Sequence, residues 1–365
     1  MSKKIEGCVF SGDQHLRPQT WARRPEIHGD AYSALVQIIA YCVQHNRALM
    51  MMGDLFNSEH PDSRSVEVFR ASMDTMEENE LPVYAIQGQH DMATPPWPVS
   101  LHSYVQYVSG KTFHPIPDGP EFYAFDRIAN PEVIKNDLNI PSTAVGLVGH
   151  QLAREVFPME GRWDFDASCL PSTIKYLFLG DFHEPVTFGI PGGRGWYSGS
   201  MYLCKIDEPT EKSFLDVKHH DIAGLSVERI PLKSRQYIKY TINQASELDA
   251  VVGILTEAKL EPDVDNQQPV VVVEYLAEVL DVVPRLEAAI AGRAYLWPKP
   301  VSSRIVWDDG KAQATTEHQT MESCIQKYHP PTSREHQFLT DLLKRPDTDK
   351  VLAEWREKMG VTLAA

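Results

Sequence analysis

Five short fragments in the first half of the chain carry the residue types that hold divalent ions: Asp13-Gln14-His15, Gly53-Asp54, Gly88-Gln89-His90-Asp91, Gly149-His150 and Gly180-Asp181-Phe182-His183. Oxygen donors mixed with imidazole nitrogens suit two divalent ions about 3.5–4 Å apart, a pair that can clamp a phosphodiester and supply a hydroxide for in-line attack. Such a pair needs an acid between the ions. Asp54 is the natural bridge, because Gly53 lets the backbone turn tightly after the run at residues 50–52 and aims the carboxylate outward. Asp13 and His15 stand two residues apart, which on extended backbone puts both side chains on one side. Taken singly, Asp-x-His, Gly-Asp or Gly-His is noise, and a histidine at a strand end is commonly just hydrogen-bonded. The order and spacing of all five make chance a poor explanation.

The elements that must position these groups follow from patterning. Each fragment is preceded by an apolar or β-branched run (residues 8–10, 49–52, 83–86, 145–148 and 174–179), so each is expected where a buried strand ends. Open α/β sheets keep their chemistry at that end. The fragments are separated by enough chain for helical crossovers, and to about residue 230 apolar runs alternate with helical patterns. Leu35, Ile38, Ile39 and Cys42 predict a helix over 29–45, and Val66, Phe69, Met73 and Met76 another over 63–78, both stripes facing the core. Residues 94–98, with three prolines around Trp97, read as a loop, followed by a short helix over 100–108.

After Pro231 comes a compact repeat with none of the ligand fragments: a strand at 236–242, a helix at 246–258, a strand at 270–275, a helix at 282–291 and a strand at 301–306. A polar stretch then leads to helical pieces, notably 347–359, where Val351, Leu352, Trp355 and Met359 share a face between Pro346 and Gly360. The expected organisation is 1–230, 231–307, a linker at 308–320 and a helical tail at 321–365.

Composition narrows the class. At 365 residues the chain is long for one core, since domains usually run to about 100–200 residues. No apolar stretch approaches the roughly 18–20 residues of a membrane helix, and Met1-Ser2-Lys3-Lys4 lacks a signal-peptide core, so a cytoplasmic protein without membrane contact is expected. Five scattered cysteines with no Cys-x-x-Cys pair argue against a disulfide framework or zinc knuckle. The net charge of −15 repels phosphates at long range, so any DNA role must rest on bound ions, small basic clusters or a basic partner.

The fragments resemble those of the calcineurin-like metallophosphoesterases, and within them the SbcD-type nuclease family. That family carries Asp-x-His, Gly-Asp, Gly-Asn-His-Asp, Gly-His and Gly-His-x-His in this order. Tyr197-Ser198-Gly199-Ser200 and Glu211-Lys212-Ser213-Phe214 are similar to its Pro-Gly-Ser and Lys-Gly-Phe elements. The resemblance implies an α/β fold: a metallophosphoesterase β-sandwich flanked by helices, with a small α/β capping domain and a C-terminal helical tail that binds an ATPase. It assigns Asp13, His15 and His183 to one ion, Asp54 to the bridge, and Gln89, His150 and Asp181 to the second ion. His90 becomes the non-ligand histidine that contacts the scissile phosphate and protonates the leaving oxygen, a task suited to an unperturbed pKa of about 6.5. Asp91 either orients His90 or caps a turn.

Two positions depart from the family. Gln89 replaces asparagine, offering the same amide oxygen on a side chain one methylene longer. Asp181 replaces the more usual histidine with an anionic oxygen. Three carboxylates against two divalent ions leave one net positive charge where two would leave two, so hard ions, Mn²⁺ first and Mg²⁺ next, are expected. The same departures are compatible with a weakened second site.

For DNA contact the best local candidate is the loop at 16–25, with Arg17, Trp21, Arg23 and Arg24; the arginines can fix phosphates and the indole can stack on a base or pack on the sheet. Arg194, in Gly192-Gly193-Arg194-Gly195, is a second candidate, in what is equally a hairpin tip. The family implies a nuclease acting on DNA ends, with double-strand exonuclease and single-strand endonuclease activity, an SbcC-type ATPase partner and a homodimer within a heterotetramer. The rivals are a small-molecule phosphodiesterase, a DNA-end scaffold without catalysis, and a docking partner of the ATPase.

Overall fold

The computed structural model describes residues 4–21, 24–130, 134, 138–157, 163–222, 224–262, 267–301, 307–308 and 311–312. The first strand, β1 (Gly7–Ser11), leads into a hairpin of β2 (Gln19–Trp21) and β3 (Arg24–His28), then α1 (Asp30–His45), β4 (Arg47–Met52), α2 (Ser63–Glu78) and β5 (Val83–Ile86). After α3 (Trp97–Leu101) come β6 (Val105–Tyr107), β7 (Lys111–Phe113), β8 (Phe122–Ala124), β9 (Gly146–His150) and β10 (Tyr176–Gly180). The hairpins β11 (Val186–Ile190) with β12 (Gly193–Tyr197) and β13 (Ser213–His220) with β14 (Gly224–Pro231) follow.

These strands build two six-stranded sheets, in the orders β14-β13-β1-β4-β5-β6 and β11-β12-β10-β9-β8-β7. β1, β4, β5 and β6 run parallel, as do β8, β9, β10 and β12. Alternation assigns each side chain to a layer. Cys8, Phe10, Met50, Met52 and Ile86 point into a core shared with Phe122, Val148 and Phe178 of the other sheet, and Phe10 stacks on Phe178 at 4.3 Å. Val9, Leu49, Met51, Val83 and Ala85 point the other way, onto Leu35, Ile38, Phe69 and Met73 of α1 and α2. Burial on both faces explains why these strands read as unbroken apolar runs. Each large apolar side chain so buried contributes about 1.5–3 kcal/mol. Leu147, Leu177 and Leu179 face a further core with Phe165, Leu170 and Ile174 outside the second sheet. This is the sandwich of the calcineurin-like metallophosphoesterase fold.

The helices over α1 and α2 match their expected spans to within a residue; Asp62 caps α2 by accepting from Ser65 N–H at 3.0 Å. The expectation for 94–108 needs correction. A helix occupies Trp97–Leu101, with Pro98 in its first turn, where a missing N–H costs nothing, and Val105–Tyr107 is a strand pairing with Val83–Ala85. Its short length gave no period to read.

Beyond Pro231, β15 (Tyr237–Ile242), α4 (Ala245–Glu257), β16 (Val270–Leu276), α5 (Val282–Ile290) and β17 (Tyr295–Val301) form a three-stranded sheet in the order β15-β16-β17, with both helices on one face. Val270 and Val272 on the other face pack with Trp21, Ile27 and Leu203. Arg235 fastens this region to the start of α1, donating to Asp30 at 2.9 and 3.1 Å and to the carbonyls of His28 and Gln268. The strand β17 precedes the one expected at 301–306, of which only Val301 is described; Pro298 and Pro300 disguised β17, and an edge strand tolerates them. Residues 302–306, most of the linker and the tail at 321–365 lie outside the described residues. No helix among the described residues is long and apolar enough to cross a membrane.

Candidate metal centre

The C-terminal ends of β1, β4, β5, β9 and β10 meet at one rim of the two sheets. Close approach there depends on glycine: a Cβ on Gly180 would lie 2.5 Å from both His150 Nδ1 and the Met52 carbonyl oxygen. Asp13, His15, Asp54 and Asp181 all adopt positive φ (54°, 42°, 51° and 91°), a region that costs non-glycine residues roughly 1–2 kcal/mol each. Backbone pairing holds them: Asp13 N–H donates to Gly53 (3.2 Å) and His15 N–H to Asp54 (2.8 Å). Asp181 N–H donates to the Asp13 carboxylate at 3.1 and 3.2 Å. Strain so over-determined by its surroundings clusters at functional sites.

On one side of the rim, the Nε2 atoms of His15 and His183 face each other at 3.1 Å. Asp54 Oδ2 lies 3.6 Å from His15 Nε2, and Asp13 Oδ1 lies 3.7 Å from His183 Nε2. Behind His183 stands Glu208, which accepts from Nδ1–H at 2.6 Å and so leaves Nε2 with its lone pair toward the site. Burial would raise the Glu208 carboxyl, but the His183 hydrogen bond and the Lys212 charge hold it down at about 2. Sequence reasoning missed Glu208; it is one of three acids, with Asp207 and Glu211, between Ser198-Gly199-Ser200 and Lys212, and no local pattern singles it out. Cys204 was also missed, and its sulfur lies within 4.8 Å of ring nitrogens of His15 and His183.

On the other side, His150 donates from Nδ1 to the Met52 carbonyl at 2.7 Å. Its Nε2 is fully buried, has no hydrogen-bond partner and lies 3.4 Å from Asp54 Oδ2. Burial disfavours charge on this ring, yet Asp54, Asp13 and Asp181 push its pKa to about 10. Asp13 moves up to about 6, chiefly through burial. The centre therefore holds more negative charge than buried space supports. A buried imidazole nitrogen without a partner, two converging Nε2 atoms and crowded carboxylates fit divalent metal ions. Asp181 is part-buried, and Gln89 is exposed, its Nε2 donating to Asp181 Oδ1 at 3.1 Å.

His90 closes the open side. Its backbone N–H donates to Asp54 Oδ1 at 2.9 Å, its side chain is 47% exposed, and its ring stands edge-on to His15 at 5.0 Å. It is placed to meet a group sitting over the rim. Asp91 does something other than orient it: Oδ1 accepts from Gly88 N–H (3.0 Å) and Oδ2 from Leu55 and Phe56 N–H (2.7 and 3.4 Å). Buried and pushed up to about 6 by desolvation and by Asp54, Asp91 clamps the two loops that carry Asp54 and Gln89.

The candidate DNA contacts scatter. Trp21 is 6% exposed, edge-on to Trp297 (4.6 Å) and Tyr237 (5.6 Å), so its indole packs and offers no face to a base. Arg17 is half-buried, donating to Tyr202 Oη (2.9 Å) and the Cys204 carbonyl (3.4 Å). Arg24 pairs with Glu26 and lies over the Trp297 ring. Arg23 lies outside the described residues. Arg194 is exposed but pairs with Tyr176, at the opposite end of β10 from Asp181.

No protein-family model matches the chain. Among curated proteins it is similar to the DNA double-strand break repair protein Mre11 of Sulfurisphaera tokodaii, 26% identical over 177 residues (45% of this chain, 46% of the relative). The protein of the same name from Methanocaldococcus jannaschii is 23% identical over 231 residues (58% and 62%). In both, the match spans less than two thirds of the relative's own length. A Staphylococcus aureus crystal structure assigned as a 5′-nucleotidase aligns at a TM-score of 0.37 with 11% identity, covering 62% of this chain and 54% of that one. The curated relatives support the metallophosphoesterase superfamily.

Proposed function

We propose that this chain is a metal-dependent DNA nuclease subunit that hydrolyses phosphodiesters at DNA ends. The observation that carries the reading is the convergence of all five ligand fragments at one rim, with the exposed His90 over it. The names of the curated relatives supply the substrate class.

In this reading Asp13, His15 and His183 would hold one ion and Gln89, His150 and Asp181 the other, with Asp54 shared between the two sets. When bound, divalent ions, Mn²⁺ before Mg²⁺, would supply the charge that grips the phosphodiester and acidifies the attacking water. His90 hydrogen-bonds the scissile phosphate and gives a proton to the leaving oxygen. Glu208 keeps His183 in one tautomer, and Asp91 keeps the two loops in register. Residues 231–307 cap the site. Residues 321–365 dock an SbcC-type ATPase beyond the linker at 308–320, in a cytoplasmic heterotetramer built on a nuclease homodimer, with duplex exonuclease and single-strand endonuclease activity.

The test is purified chain with Mn²⁺ on linear duplex, single-stranded DNA and a chromogenic phosphodiester. Wild type is expected to cut DNA, and His90→Ala to lose about 10²–10⁴-fold in rate with unchanged Mn²⁺ binding. Cleavage of the small ester alone would replace this reading with a small-molecule phosphodiesterase. DNA binding without any cleavage would replace it with a scaffold.

A further inference from the structure

The half of the centre assigned to the second ion carries a cation of its own. Arg127, in the segment after β8, has a side chain only 13% exposed. It is anchored away from the rim by Asp164 (2.9 Å), Gln151 Oε1 (2.9 Å) and the Ile128 carbonyl (2.7 Å). Its Nε–H points to Gln89 Oε1 at 3.5 Å, while Gln89 Nε2 donates to Asp181 Oδ1 at 3.1 Å. The amide orientation follows from charge: reversed, its NH₂ would face a guanidinium and its oxygen a carboxylate.

Two consequences follow for an incoming cation. The amide oxygen that would ligate it is turned toward Arg127, and one Asp181 oxygen is covered by the amide hydrogens. On the first side the ligands' hydrogen bonds run to one another, to backbone and to the carboxylate of Glu208. Asparagine in place of Gln89, one methylene shorter, would not span from Asp181 to Arg127.

We infer that the two ions bind with unequal affinity and that Arg127, acting through Gln89, is the positioning residue that keeps the second ion loosely held. Occupancy of the second subsite then follows the free ion concentration, which makes it the point where metal supply controls the centre. This rests on the two-ion reading above.

The experiment titrates Mn²⁺ into the metal-stripped full chain, counting bound ions by calorimetry and detecting paired ions by electron paramagnetic resonance. Wild type is expected to take one ion tightly and a second at least about tenfold more weakly. Arg127→Gln and Gln89→Asn should each strengthen the second ion by about tenfold and leave the first unchanged, so that paired-ion signals emerge at lower Mn²⁺. Position 89 is exposed, so Gln89→Asn keeps the test alive if loss of Arg127 disturbs folding. Two equally tight ions in wild type, or an unchanged gap in Gln89→Asn, overturns the inference and leaves the two-ion reading standing. No bound Mn²⁺ at all overturns both.

Discussion

His183 and Glu208 form a 2.6 Å Nδ1–Oε1 hydrogen bond, and the same carboxylate collects Lys212 Nζ (2.8 Å), Ser200 Oγ (3.2 Å) and the Cys204 N–H (3.0 Å). One buried acid thus fixes a ring that faces the candidate metal centre and the loop beside it.

Glu208→Gln should therefore weaken divalent-ion binding about 10–100-fold, because the amide no longer holds the His183 tautomer. Calorimetric Mn²⁺ titration against wild type measures this, with circular dichroism confirming the fold. Unaltered affinity would show that His183 needs no support.

Asp91 makes a pH prediction. Its folded pKa of about 6 lies above the unfolded carboxylate value, so its stabilising contribution is full at low pH and is lost as pH rises through 6. Between pH 5 and pH 7 this amounts to about 1 kcal/mol. The metal-free chain should lose that much stability over the interval, and Asp91→Asn should flatten the slope by the same amount. Denaturant melts at the two pH values decide it; an identical slope in the variant would refute the assignment.

Trp21→Ala should act on stability. Removing an indole packed against Trp297, Tyr237 and Ile27 costs about 3–5 kcal/mol. Trp21→Phe, which keeps the packing, should bind single-stranded DNA as wild type does. A large binding loss in Trp21→Phe with an unshifted melting curve would restore the stacking role.

Much of the site could be read along the chain. Each ligand fragment sits where an apolar run stops, and two-sided burial makes a strand such as Met50–Met51–Met52 conspicuous without any partner in view. Elements lacking such a run escaped: β6 is three residues long, and β17 carries two prolines.

Sequence by itself determined the donors, their order and the strand ends that present them, because hydrophobic run length and glycine turns are local properties. Only the tertiary structure decided what each donor touches. Gln89 meets Asp181 across 92 positions, His15 meets His183 across 168, and Arg127 reaches Gln89 across 38. It also buried Trp21 and put Arg194 at the wrong end of β10 to reach the rim. Such contacts depend on how two sheets stack, and no local pattern encodes the stacking.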